Sequence, residues 1–188
     1  MYEKLNEAIV FATQCHAGQM RKMANVPYIL HPLEVAAIIG TMTDDEDVMI
    51  AGLLHDTVED CGADPMLIRE TFGTRVAALV QSETEDKIAA RPAAETWKQR
   101  KEESLLLFHY TRDRDVKILW LADKLSNIRS FYREYQKRGD AMWQCLNQKD
   151  PAMQAWYYRT IAEYLSDMSD TAAYQEYVAL VEQIFGKE

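Results

Sequence analysis

The chain has 188 residues, 48% of them hydrophobic and 27% charged, with seven Gly and five Pro, proportions that fit one helix-rich globular domain and exclude an extended disordered chain. A net charge of −9 excludes a general nucleic-acid surface, which needs an excess of Lys and Arg, but leaves room for a small phosphorylated ligand. Cys15, Cys61 and Cys145 form no CxxC pair, no apolar run approaches about 18 residues, and no basic-then-apolar leader opens the chain, so a disulfide framework, a membrane span and a processed signal are not expected, and a cytoplasmic setting is.

Leu5, Ile9, Ala12 and His16 fall at helical spacing, which predicts an amphipathic helix from Tyr2 to about Ala17 ending near Gly18. His16 reads as a core or capping histidine rather than a ligand. The segment GQMRKMANVPYILHP is an ordered connection whose Pro27 and Pro32 break helix. Pro32 suits the first turn of the next helix, HPLEVAAIIGTM, so His31 sits at a helix N-terminus from which an imidazole can point inward. Thr43 or Asp44 is the expected cap of the helix after it. Val48 to Leu54 carry no charge and read as a helix buried on nearly all sides, with Ala51 and Gly52 permitting close helix contact. That run ends abruptly in His55, Asp56, Glu59 and Asp60. If the helix continues, His55 and Glu59 are four apart, as are Asp56 and Asp60, and the groups converge. Burying such acids unpaired costs several kcal/mol or more, so a divalent cation is the economical partner; the alternative is a helix end with ordinary solvated acids.

Asp64 followed by Pro65 predicts a helix start leading through Ile68 to Phe72, with Gly73 ending it and a further helix over about Arg75 to Gln81. Lys87, Arg91, Lys98, Arg100 and Lys101 then stand against the single acid Glu95, a candidate phosphate-facing patch or a solvated helix face. A helix from about Thr96 to Tyr110 and the link TRDRD precede VKILWLADKLSNIRSFYREY, an apolar run interrupted by Asp123, Lys124, Asn127 and Arg129. Asp123 among apolar neighbours asks for a partner, and Asn127 shares its face one turn on. Asp140 to Glu188 read as two or three closing helices whose aromatics are mostly core. No period-two pattern stands out. The expectation is an all-α single domain over 1–188, with a metal core at about 16–131 and closing helices at about 140–188.

His31, His55, Asp56 and Asp123 together supply two imidazoles and two carboxylates, a mixed N and O set suited to Mn²⁺, Fe²⁺ or Zn²⁺ with positions left for water and substrate. Five ordered blocks, HAGQMRK at 16–22, PYILHP at 27–32, LLHDTVED at 53–60, FGTRVAALV at 72–80 and LADKLSNIR at 121–129, resemble the HD-domain metal-dependent phosphohydrolases, and more narrowly the alarmone hydrolase domain of the RelA/SpoT family. A bare HD pair is a weak signal; HDxxED with DKLxN in order is a strong one. The resemblance implies metal ligands at His31, His55, Asp56 and Asp123, normally with Mn²⁺, and a water-activating pair at Glu59 and Asp60. It implies nucleotide contacts at Arg21 and Lys22 and a substrate-contacting Asn127; Lys87, Lys124 and Arg129 are further candidate contacts. The implied reaction, part of the stringent response, is hydrolysis of the 3′-pyrophosphate of (p)ppGpp to GDP or GTP and pyrophosphate. The implied partner is a small nucleotide, with no nucleic acid and no membrane; oligomeric state is not specified.

Two departures stand out: Trp120 replaces the Lys common before LAD, removing a possible phosphate contact, and Asn25 stands near the place of a common Gly. At 188 residues, the chain is expected to be a stand-alone hydrolase unable to make the alarmone. Rival readings keep the chemistry on another nucleotide, such as (p)ppApp, NADPH or a nucleoside monophosphate, make the chain a catalytically silent nucleotide-binding module, or reduce it to a helical interaction domain. Trp120, Trp143 and Trp156 offer stacking surfaces for any base, although core packing suits each of them better.

Overall fold

A computed structural model describes residues 2–84 and 93–186. Its elements run α1 (Glu3–Cys15), α2 (Leu30–Ile39), α3 (Glu46–Leu54), α4 (Thr57–Cys61), α5 (Pro65–Phe72), α6 (Thr74–Glu83), α7 (Ala93–Tyr110), α8 (Arg114–Arg138), α9 (Pro151–Tyr164) and α10 (Ala172–Phe185), with 3₁₀ turns at Gly139–Cys145 and Ser166–Met168. No strand occurs among the described residues; one isolated bridge pairs Met20 with Pro27. The expected all-α architecture is the observed one. No described helix is long and apolar enough to cross a membrane.

Local chemistry sets the helix starts. Asp64, Asp113 and Asp150 each accept a hydrogen bond from the backbone N–H two residues on, and Pro65 and Pro151 follow as first helical residues. Each such cap stabilises its helix by about 1 kcal/mol. The cap of α3 is Asp45, whose side chain accepts from Asp47 N, rather than the expected Thr43 or Asp44. Thr43 Oγ1 instead accepts from Asp45 N, tightening the turn that delivers the cap.

The 25-residue α8 is the axis of the molecule. Ile118, Leu119, Leu121, Ala122, Leu125 and Ile128 are all buried, and α8 packs against α2, α3, α6 and α10. As expected from its composition, α3 is buried along most of its length, from Val48 to Leu54 with only Met49 less covered. It lies so close to α2 that a Cβ on Gly52 would meet Ile39 Cδ1 at 2.4 Å. Helices α2, α3 and α8 therefore bring His31, His55 and Asp123 to one place in the core. Trp120 is buried and stacks on Phe108 at 4.3 Å, and Trp143 is buried and stacks on Phe185 at 5.6 Å, so both pack the core, the role that suited them better than stacking on a base.

Candidate metal centre

Helix α3 does not continue through the acidic segment. It ends at Leu54, the chain turns through His55 and Asp56, and a separate short helix, α4, carries Glu59 and Asp60. The i, i+4 convergence expected from one continuing helix is thus replaced by a turn. That turn brings His55 Nε2 within 3.0 Å of Asp56 Oδ2. His31, in the first turn of α2, places Nε2 3.3 Å from His55 Nε2, 3.0 Å from Asp123 Oδ1 and 3.5 Å from Asp56 Oδ2. One donor atom each from His31, His55 and Asp123 lies within 4.8 Å of the others. All three residues are buried, and Asp56 reaches the same point from the cavity side with 20% of its side chain exposed.

The hydrogen bonds around the rings show what the cluster fits. His55 Nδ1 lies 2.8 Å from Gly52 O, and a carbonyl only accepts, so Nδ1 carries a proton and Nε2 is the nitrogen turned toward the cluster, able to give its lone pair to a cation. His31 likewise turns Nδ1 outward, 2.8 Å from Ser126 Oγ. Inward-facing imidazole nitrogens beside two carboxylates are the arrangement of a divalent cation site, each ligand oriented by an outer partner. Tyr28 donates to Asp56 Oδ2 at 2.6 Å, and Asn127 Nδ2 donates to Asp123 Oδ1 at 2.7 Å. Arg21 Nη2 donates in turn to Asn127 Oδ1 at 3.3 Å.

The electrostatics follow from this crowding. Burial opposes charge on Asp123, but Lys124 and the two imidazoles outweigh it and hold the carboxyl well below its ordinary range. Asp56 shows the same balance, burial being overcome by His55 and His31. Burial lowers the pKa of His31, whereas at His55 the two carboxylates overcome burial and raise it. Lys124 donates to Asp123 Oδ2 and lies 3.4 Å from Glu83 Oε2 and 4.8 Å from the centre of the Trp120 ring. Burial pushes the Glu83 carboxyl up to about 7, with Lys124 opposing.

A cavity of about 550 Å³ opens over the cluster, lined among others by Lys22, Tyr28, Glu59, Asp60, Arg100, Lys101, Lys124 and Asn127. Of the residues singled out in the sequence, His31, Asp56, Asp123, Glu59, Asp60, Lys22, Lys124 and Asn127 line the cavity, His55 joins the donor cluster beneath it, and Arg21 reaches it through its hydrogen bond to Asn127. Lys87 and Arg91 lie outside the described residues. Arg129 faces elsewhere: its guanidinium pairs with Glu34 and Glu176. The basic patch divides, Arg100 and Lys101 facing the cavity and Lys98 pairing with Glu102 on the exposed side. His16 stays outside the donor cluster, buried, with Nδ1 2.9 Å from Gln19 Oε1.

Residues not singled out in the sequence complete the site. Tyr28 and Ser126 hold ligands, Glu83 pairs with Lys124, and Trp97, Gln154 and Tyr157 line the cavity wall. Position inside the PYILHP and LADKLSNIR blocks was the available signal for the first two.

The HD domain family matches residues 8–150. The chain belongs to the HD domain family. Its relatives are of the RelA/SpoT type: it is 39% identical over 129 residues to a GTP pyrophosphokinase rsh of Brucella ovis, covering 67% of this chain and 16% of that protein. It is 35% identical over 138 residues to a guanosine-3′,5′-bis(diphosphate) 3′-pyrophosphohydrolase of Aquifex aeolicus, covering 72% and 19%. This HD-domain chain therefore spans less than a fifth of these relatives' length. Among solved structures it is similar to lmo0812 of Listeria monocytogenes, with a TM-score of 0.72, 34% identity and coverage of 84% of this chain and 99% of that one. It is also similar to a metazoan ortholog of SpoT that hydrolyzes ppGpp, with a TM-score of 0.73, 25% identity and coverage of 96% and 94%. HD domains bind divalent metal, and the His/Asp cluster here fits that role.

Proposed function

We propose that this HD domain is a cytoplasmic, Mn²⁺-dependent hydrolase that removes the 3′-pyrophosphate of (p)ppGpp. The observation that carries the reading is the convergence of His31, His55, Asp56 and Asp123 at the floor of a cavity whose walls carry both an acidic pair and several cations. Likeness to relatives whose names state this hydrolysis, one of them matched over nearly its full length, supports the substrate.

In this reading the two Nε2 atoms and the carboxylates of Asp56 and Asp123 hold the cation, and a mixed N and O set with open positions suits Mn²⁺. When bound, the ion supplies Lewis acidity, making water in contact with it more acidic and offsetting phosphate charge. Glu59 and Asp60, on α4 at the cavity wall, jointly take the proton of the attacking water. The water oxygen bonds to the phosphorus on the 3′-oxygen, the 3′-oxygen–phosphorus bond breaks, and the 3′-oxygen takes up a proton as pyrophosphate departs. Lys22, Arg100 and Lys101 offset charge on the phosphate oxygens, and Asn127 positions Asp123 while facing substrate. Lys124, committed to Asp123 and Glu83, orients the ligand rather than reaching for phosphate.

The test is pyrophosphate release from ppGpp with Mn²⁺, with chelator, and with an Asp56→Ala control. Release that needs the metal and is lost in the control supports the reading. No release from folded, Mn²⁺-loaded protein overturns it, and release from ppApp or NADPH but not ppGpp reassigns the substrate.

A further inference from the structure

His31 differs from His55 in one respect. Its outer partner is a hydroxyl, Ser126 Oγ at 2.8 Å, and a hydroxyl either accepts or donates, so this contact alone does not say which ring nitrogen holds the proton. The direction is set further out. Ser126 Oγ donates to Glu34 Oε2 at 2.7 Å, and the other oxygen of Glu34 accepts from Arg129 Nη1 at 3.2 Å. Arg129 is anchored on its far side by a two-point pair with Glu176 of α10, at 2.6 Å from both Nε and Nη2. A guanidinium only donates and a carboxylate only accepts. With both ends so constrained, every hydrogen bond between them has one allowed direction.

We infer that Glu34 is a positioning residue which, by taking the Ser126 proton, fixes the ring proton of His31 on Nδ1 and so presents the Nε2 lone pair to the metal. Arg129 makes the arrangement sensitive to a single atom. In Glu34→Gln the one remaining oxygen goes to Arg129, which offers only N–H, and the amide NH₂ is left facing Ser126. Ser126 then accepts from that amide and donates to His31 Nδ1, which moves the ring proton to Nε2 and closes that nitrogen as a ligand. Arg129 and α10 thereby serve the metal site without touching substrate. The inference rests on the metal-site reading above, but not on the identity of the substrate.

The experiment reads the tautomer directly, from the ¹⁵N shifts of the histidine rings in metal-free protein, and separately measures Mn²⁺ affinity by competition with a chelator. The chain has only four histidines, which keeps the ring spectrum assignable. In the wild type Nδ1 of His31 is expected to carry a proton whatever the state of Nε2, which faces Asp123 Oδ1 at 3.0 Å in metal-free protein. In Glu34→Gln Nδ1 is expected to be bare with the proton on Nε2, with Mn²⁺ affinity lower by about 10- to 100-fold. Glu34→Asp, which keeps two acceptor oxygens, is expected to retain the wild-type tautomer and serves if the Gln variant does not fold. Adding Ser126→Ala to Glu34→Gln removes the forced donor and is expected to recover part of the affinity. An Nδ1–H tautomer in Glu34→Gln, or undiminished Mn²⁺ affinity, overturns the inference. Wild-type protein that binds no Mn²⁺ overturns the metal reading instead, while the tautomer in metal-free protein still decides the role of Glu34.

Discussion

The close approach of α2 to α3 at Gly52 leaves no room for a side chain there. In Gly52→Ala the new Cβ would lie 2.4 Å from Ile39 Cδ1, 3.3 Å from Val35 Cγ1 and 3.5 Å from Ala36 Cα. Carbon atoms pack at about 3.5–4.0 Å, so Ile39 must leave its rotamer or the helices must part by about an ångström. Ile39 is fully buried, and overpacking of this kind costs about 1–3 kcal/mol. Ala regains about 1 kcal/mol over Gly inside a helix, leaving a net loss of about 0–2 kcal/mol. Ile39→Val deletes the clashing methyl and alone costs about 0.5–1.5 kcal/mol. In that background Gly52→Ala is expected to be neutral or stabilising, so the pair should couple by about 1–3 kcal/mol in urea unfolding of metal-free protein. Because Gly52 O holds His55 Nδ1, Mn²⁺ affinity should fall in the single Ala variant and recover in the double. Costs that add to within about 0.5 kcal/mol would refute the reasoning, since independent sites add that closely.

Other parts of the site make separate predictions. Tyr28→Phe removes the donor to Asp56 Oδ2 and should weaken Mn²⁺ binding about tenfold, checked by chelator competition; unchanged affinity would mean that Asp56 is held by other contacts. Glu59→Gln and Asp60→Asn should each lower kcat, by about 10²–10⁴ where that carboxylate carries the proton, while leaving Mn²⁺ affinity in place. Glu83, raised from 4.5 to about 7 by burial, binds more protons folded than unfolded between those values, so its contribution to stability is full below pH 4.5 and is lost as pH rises through about 7. Urea unfolding of chelator-treated protein across that window should show a shallower fall in Glu83→Gln, and an identical slope would remove Glu83 as its source.

What the sequence made legible was what leaves a mark of type or spacing. Asp64 with Pro65 announced α5, and Asp123 among apolar neighbours announced a buried charge that the structure pairs with Lys124. Thr43, Asp44 and Asp45 are three plausible caps in a row, and the choice of Asp45 depends on a turn that local pattern does not encode. Arg129 read as a substrate contact because a lone cation beside the DKLxN block shows nothing of Glu34 or Glu176, 95 and 47 residues away along the chain. Ser126 and Tyr28 are uncharged, so neither raised the question of a partner. Both matter because each places a hydroxyl against a ligand.

The turn at His55 and Asp56 was the harder feature to foresee, and it explains how adjacent residues reach one ion. In a continuous helix neighbours point about 100° apart and do not face each other, yet here Nε2 of one and Oδ2 of the next are 3.0 Å apart. Asp56 adopts φ −92°, ψ −5°, a sparsely populated conformation found at turns and active sites. Ending α3 in the core strands carbonyls that water cannot reach. Two are satisfied by side chains just beyond: Gly52 O by His55 Nδ1 at 2.8 Å and Leu54 O by Thr57 Oγ1 at 2.7 Å. Asp56 O then accepts from Asp60 N at 2.8 Å, starting the short helix that carries the acidic pair. On this account the hydroxyl of Thr57, remote from substrate, holds the break open. Thr57→Val keeps the shape but strands Leu54 O, at a cost of about 1–3 kcal/mol in urea unfolding, and should lower both Mn²⁺ affinity and kcat. Thr57→Ser, which keeps the donor, should retain the metal site; if the Val variant binds Mn²⁺ as the wild type does, the break is fixed by packing and not by this hydrogen bond.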